Sequence, residues 1–126
     1  MDPALFAADL ASKPEHLGAL ADVLAAEDPW GVLPADVRRV VLVGMGSSAF
    51  AAGVAAARLQ ARGFDAVSVL ASSDLLPETR EGDVVVAVSA GGGSRETVAA
   101  VDHYLDRAPL GLLTNKPESA LAQRLA

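Results

Sequence analysis

The sequence predicts an α/β protein, a parallel sheet with helices on both faces, preceded by a helical segment. Three observations carry that expectation. Short β-branched runs alternate with helical patterns in the order strand, helix, strand, loop, strand, helix, strand, helix, which is how a parallel sheet reads along a chain. Those runs are continuously apolar, as strands covered on both faces are. The chain has 126 residues, 52% of them apolar, which suits one packed domain or part of one.

The elements follow in order. Asp2 before Pro3 has the form of an N-cap with proline at the first helical position. Ser12-Lys13-Pro14-Glu15 has capping-box spacing and predicts that a second helix begins there. Leu17, Leu20, Ala21 and Leu24 recur at helical spacing, and Asp28 to Pro34 reads as an irregular connector. Residues 1–36 are therefore expected to form a helical arm laid against the body, and residues 37–126 the α/β domain. His16 reads as partly exposed and His103, off the apolar stripe of its helix, as a solvated surface residue.

Val37 to Val43 is the first strand, ended by Gly44. Ser48 to Arg62 reads as a helix stopped by Gly63 at the C′ position. Ala66 to Ala71 is a second strand, and Ser72 to Gly82 a loop with at most one helical turn. Asp83 to Val88 is the strongest strand. Ser94 to Arg107 is helical, with Val98, Val101 and Leu105 on one face. Leu110 to Thr114 is the fourth strand, and Asn115-Lys116-Pro117-Glu118 begins a last helix carrying Leu121 and Leu125.

Composition removes several function classes. The chain lacks cysteine, so disulfides, zinc–thiolate sites and thiol nucleophiles are excluded. Net charge is −6 with 16 acidic against 10 basic residues, and no basic stripe offers phosphate neutralisation, so no nucleic-acid partner is expected. No basic n-region or apolar h-region follows Met1-Asp2-Pro3, and no apolar stretch approaches the ~20 residues that cross a bilayer. A soluble, cytoplasmic protein without a membrane partner is the expectation. The 26 alanines give little weight to any reading built on alanine positions alone.

Chemistry concentrates in two loops at strand ends. Gly44-Met45-Gly46-Ser47-Ser48 follows the first strand, and Ser89-Ala90-Gly91-Gly92-Gly93-Ser94-Arg95-Glu96-Thr97 follows the third. Each combines hydroxyl donors, approachable backbone amides and a helix start, a set of parts that suits a phosphate. In open α/β sheets ligands bind outside the carboxyl ends of strands where the order reverses. In a flavodoxin-like order 2-1-3-4 the first and third strands are neighbours, so both loops converge on one pocket, and a phosphate monoester is the natural ligand. A dinucleotide reading competes, since Gly44-x-Gly46-x-x-Ala49 fits that fingerprint. It also wants an acidic residue at the end of strand two, where Ala71-Ser72-Ser73 stands with Asp74 arriving late.

Gly44-Met45-Gly46-Ser47-Ser48, the run from Val86 to Thr97, and the run from Leu112 to Ala122 together resemble the SIS (sugar isomerase) domain. The likeness is nearest to the N-terminal SIS domain of two-SIS proteins, such as the isomerase half of glucosamine-6-phosphate synthase and amino-sugar-phosphate deaminases. Lys13-Pro14-Glu15 is similar to that group's Gln-Pro-Glu after the first helix. The resemblance implies a flavodoxin-like three-layer sandwich and a hexose- or hexosamine-6-phosphate ligand, with neither cofactor nor metal. The phosphosugar-binding residues it implies are Gly46, Ser47, Ser48, Ser89, Gly91, Gly92, Ser94 and Thr97, and Thr114-Asn115 matches the family's Thr-Asn after strand four. Gly91 stands where the family usually has a second phosphate-binding serine, and Ala90 where synthases have glutamine. A lost hydroxyl donor implies weaker or differently oriented phosphate binding.

The same resemblance implies five parallel strands in order 2-1-3-4-5, so with four strands the domain is expected to be C-terminally incomplete, its fifth strand absent. It also implies that the catalytic glutamate, histidine and lysine lie in a second SIS copy and tail. Within these residues Glu96, Asp74, Glu78 and Glu81 are the carboxylates nearest the loops, and they read as surface groups. Three functions are in play. The first is the N-terminal part of a sugar-phosphate isomerase, deaminase or aminotransferase, completed by a second SIS half or by homo-oligomerisation, for instance as a dimer. The second is a non-catalytic phosphosugar sensor, disfavoured because residues 1–36 carry no basic recognition helix. The third is the dinucleotide domain.

Overall fold

The computed structural model describes residues 2–126. The chain divides into two compact units, one ending at Val32 and one running from Leu33 to Ala126. In the first, helix α1 spans Pro3–Ala26, and a 3-10 helix covers Pro29–Val32. The Asp2 carboxylate accepts from the Ala4 N–H at 2.9 Å, so the proline-led N-cap forms as the sequence predicts. The capping-box expectation is corrected: α1 runs through Pro14 without a break. Ser12 Oγ donates back to the Asp9 carbonyl at 2.9 Å instead of capping a new helix. A proline costs a helix one N–H donor and crowds the preceding turn, but twenty-four helical residues absorb that defect.

The second unit is a four-stranded parallel sheet in the order β2-β1-β3-β4, with β1 Arg39–Gly44, β2 Asp65–Leu70, β3 Asp83–Val88 and β4 Leu110–Leu113. Helix α2 (Ser47–Ala61) follows β1, α3 (Arg95–Tyr104) follows β3 and α4 (Ala120–Leu125) follows β4. Side chains alternate between the two faces of a strand, and the core divides accordingly. Leu42, Val84 and Val86 meet Ala52 and Ala56 of α2 on one face. Val41, Val43 and Val85 meet Ala100 and Tyr104 of α3 on the other. Leu121 of α4 joins Ala87 and Val101 on the α3 side. The result is the three-layer α/β sandwich that the apolar runs predict.

Alanine on the inner face of α2 lets that helix lie close to β1 and β2. Gly44 allows the closest approach, because a Cβ there would lie 2.9 Å from backbone atoms of Ser48 and Ala49. Gly63 ends the helix at φ +85°, its N–H donating to the Gln60 carbonyl at 2.9 Å. The last helix starts later than the sequence suggests. Asn115 to Glu118 forms a turn, with the Lys116 N–H on Thr114 Oγ1, and Ser119 is the N-cap that accepts from the Ala122 N–H.

A polar cluster absent from the sequence reading fastens the far end of the sheet. Arg39 and Asp83 open β1 and β3, stand opposite one another in the register, and are both buried. Arg39 donates to both Asp83 oxygens, at 2.8 and 2.5 Å, and to the Glu78 carbonyl at 2.9 Å. Asp83 also accepts from the Arg80 N–H at 2.7 Å, and the Tyr104 hydroxyl donates to the Pro77 carbonyl at 3.0 Å. The β2–β3 connection is thereby tied to strand starts and to α3. His103 is corrected from a solvated residue to a half-buried one. Its Nε2 is buried without a hydrogen-bond partner among the described residues, and its ring stands edge-on to Tyr104 with centroids 4.8 Å apart. No helix among the described residues is long and apolar enough to cross a membrane.

Candidate functional site

The carboxyl ends of β1 and β3 lie side by side, with Gly44 opposite Val88, so the loops that follow them must share one end of the sheet. Between them is a cleft of about 400 Å³ lined by Met45, Ser48, Val88, Ser89, Ala90, Gly91, Gly93, Ser94 and Thr97. Of the eight residues singled out from the sequence, Ser48, Ser89, Gly91, Ser94 and Thr97 line it. Gly46, Ser47 and Gly92 do not. Gly46 is the N-cap of α2 at φ +54°, and Ser47 is an exposed first-turn residue. Gly92 is buried beneath the loop, at φ +60°.

The floor of the β3–α3 loop explains that burial. The Gly92 N–H donates to Ser89 Oγ at 3.1 Å, and the Gly92 carbonyl accepts from the Leu121 N–H at 3.0 Å. Ala90's carbonyl accepts from Thr114 Oγ1 at 3.3 Å and from the Asn115 N–H at 3.2 Å. Thr114 and Asn115 thus support the loop from the β4 side and do not line the cleft. Ser119, buried beside Gly92, leaves no room there for a side chain.

At the mouth of α3, Ser94 is the N-cap. Its Oγ accepts from the Thr97 N–H at 3.3 Å and from Thr97 Oγ1 at 3.1 Å, and donates to Glu96 Oε2 at 3.1 Å. Thr97 is buried and spends its hydroxyl proton on Ser94. The Glu96 carboxyl is held below the usual carboxylate range by its own backbone N–H and by the Ser94 hydroxyl. It is exposed and does not line the cleft, nor do Asp74, Glu78 or Glu81.

No lining side chain carries a charge. What the cleft offers is neutral: serine hydroxyls, the glycines Gly91 and Gly93, and the apolar walls of Met45 and Val88. Such donors hold an anion without titrating near neutral pH. Among the described residues no three His, Asp or Glu side chains gather closely enough to hold a metal ion. Met45, Val88, Ala90 and Gly93 line the cleft although the sequence did not single them out. Their signal was adjacency to the hydroxyl positions within the same two loops.

Residues 35–125 match the SIS domain family model. The chain belongs to the SIS domain family. Solved structures carry the same fold. An Escherichia coli CFT073 protein, solved in complex with a sugar phosphate, aligns with TM-score 0.69 and 22% identity, over 98% of this chain and 71% of that one. Tagatose-6-phosphate ketose/aldose isomerase from Escherichia coli aligns with TM-score 0.64 and 22% identity, over 86% and 32%. The Vibrio vulnificus NanR protein complexed with ManNAc-6P aligns with TM-score 0.59 and 26% identity, over 70% and 35%. This SIS chain spans about half the length of other matched structures, 49% and 47% in two cases. No curated protein sequence matches it. The SIS match covers both loops of the cleft and the Thr114–Asn115 support.

Proposed function

We propose that this SIS domain binds a hexose- or hexosamine-6-phosphate, with the phosphate in the cleft between the β1–α2 and β3–α3 loops. The observation that carries the reading is the convergence of the uncharged Ser48, Ser89 and Ser94 hydroxyls on one cleft at the ends of adjacent strands. Ser89 accepts from the Gly92 N–H, which fixes its oxygen and leaves its proton for a ligand. The Ser48 hydroxyl supplies a further donor, while Gly91 contributes no hydroxyl. The E. coli CFT073 and NanR structures, each in complex with a sugar phosphate, support the ligand class. The parent activity we infer is that of a sugar-phosphate isomerase, deaminase or aminotransferase, completed by a second SIS half or another copy of the chain.

Moving a proton between adjacent sugar carbons needs a base within hydrogen-bond reach. No lining residue is a carboxylate, histidine or lysine, so the reading for this chain is binding without isomerase turnover. The NanR likeness favours a second reading, a non-catalytic phosphosugar sensor. Titration calorimetry with glucosamine-6-phosphate and fructose-6-phosphate tests the binding common to both. Saturable heat is expected with each, and none with the unphosphorylated sugars. Ser89→Ala is expected to weaken binding about tenfold, the loss of one hydrogen bond to a charged acceptor. No heat at millimolar ligand would overturn the reading.

A further inference from the structure

Ser94 lines the cleft with no proton to spare. A hydroxyl has one donor and two acceptor sites, and here Thr97 occupies both acceptor sites while Glu96 takes the donor. Ser89 differs, since its one side-chain bond is as an acceptor from Gly92. We propose that Glu96 is a positioning residue that competes with a bound phosphate for the Ser94 hydroxyl proton, so that an anion gains this donor only by displacing the Glu96 carboxylate.

The inference rests on the phosphosugar reading of the cleft and deepens it. Three observations carry it. Glu96 Oε2 sits 3.1 Å from Ser94 Oγ, so the two form a direct hydrogen bond. Glu96 is exposed, so water receives its carboxylate once it swings away, and the exchange is not blocked by packing. The cleft has no charged lining group and no hydroxyl at position 91, so each remaining donor weighs heavily. Thr97 cannot substitute, because its proton is already given to Ser94 and its side chain is buried. Glu96 therefore sets how many hydroxyl donors a phosphate meets on arrival.

The test is calorimetric titration of the full chain with inorganic phosphate and with glucosamine-6-phosphate. Glu96→Ala is expected to bind both about 3- to 10-fold more tightly, and Glu96→Gln to fall between it and the parent chain, since an amide oxygen is the weaker acceptor. Removing a negative charge near an anion could tighten binding by itself, so the cycle is completed in a Ser94→Ala background. There Glu96→Ala is expected to tighten binding clearly less than in the parent background, leaving only the charge effect. Equal tightening in both backgrounds would show simple charge repulsion and overturn the proposal, as would unchanged or weaker binding by Glu96→Ala alone. If the parent chain binds and Ser89→Ala weakens it while Glu96→Ala is silent, only the role of Glu96 falls. If the parent chain binds neither probe, the phosphosugar reading and this inference fall together.

Discussion

Gly92 shows how much of the cleft depends on a residue outside its lining. Its φ of +60° is a conformation that side chains rarely adopt, and a Cβ there would run into Ser119 and approach Thr114 Oγ1 to 3.1 Å. Gly92→Ala is expected to cost about 1–3 kcal/mol from the backbone conformation alone. Denaturant unfolding measures this. Adding Ser119→Gly should recover part of the loss, because it removes the overlap but not the strained φ. Phosphate binding should weaken in the single variant, since relieving the overlap with Ser119 shifts the loop and with it the backbone N–H that fixes the Ser89 oxygen. Equal stability of Gly92→Ala and the parent chain would contradict this account. The three consecutive glycines were visible in the sequence, and so were the serines around them. Which glycine carries the turn was not, because Ser119 lies twenty-seven residues away and only the α4 docking brings it close.

At the scale of elements, the Arg39–Asp83 pair holds the starts of β1 and β3 together at the end of the sheet opposite the cleft. The hydrogen bond from Arg39 is the main cause that lowers the Asp83 carboxyl below its ordinary value, with burial opposing it. A depressed folded-state value means that the pair's stabilisation is present above the unfolded carboxylate value of about 3.9 and is lost as pH falls through the lower folded value. Acid unfolding of the parent chain should therefore show a limb below about pH 4 that Asp83→Asn lacks. That variant is expected to lose about 3–5 kcal/mol at neutral pH, because it strands a buried guanidinium. Replacing both residues by apolar ones of similar size should cost far less. A neutral Asp83→Asn would sink this reading of the pair. The strands themselves were legible from their apolar runs, whereas the pair required the register. The missed continuity of α1 has a similar origin: Ser12 and Glu15 have capping-box spacing, yet Ser12 bonds backward to Asp9.

On the scale of the whole molecule, the sheet order and the cleft's position follow from sequence features that physics reads directly. Continuous apolar strands imply a covered parallel sheet, and loops at the ends of two neighbouring strands must meet. What stayed hidden is how the parts are spent: Thr97 on Ser94, Ser94 on Glu96, Thr114 on Ala90. Those assignments decide which hydroxyls remain for a ligand, and a further expectation concerns the stability of the chain as a whole. Every buried apolar residue named in the core lies at or beyond Val41, within the unit that contains the cleft. A ligand bound there stabilises the same cooperative core, by about 2.7 kcal/mol at a hundredfold excess over Kd. Thermal melts should rise by several degrees with glucosamine-6-phosphate, and Ser89→Ala should lose most of that rise. A coupled assay on the same preparation should show no aldose–ketose conversion, because no lining group can carry the proton. Sustained turnover by this chain would mean that another copy supplies the base that this lining lacks, and would overturn binding without catalysis.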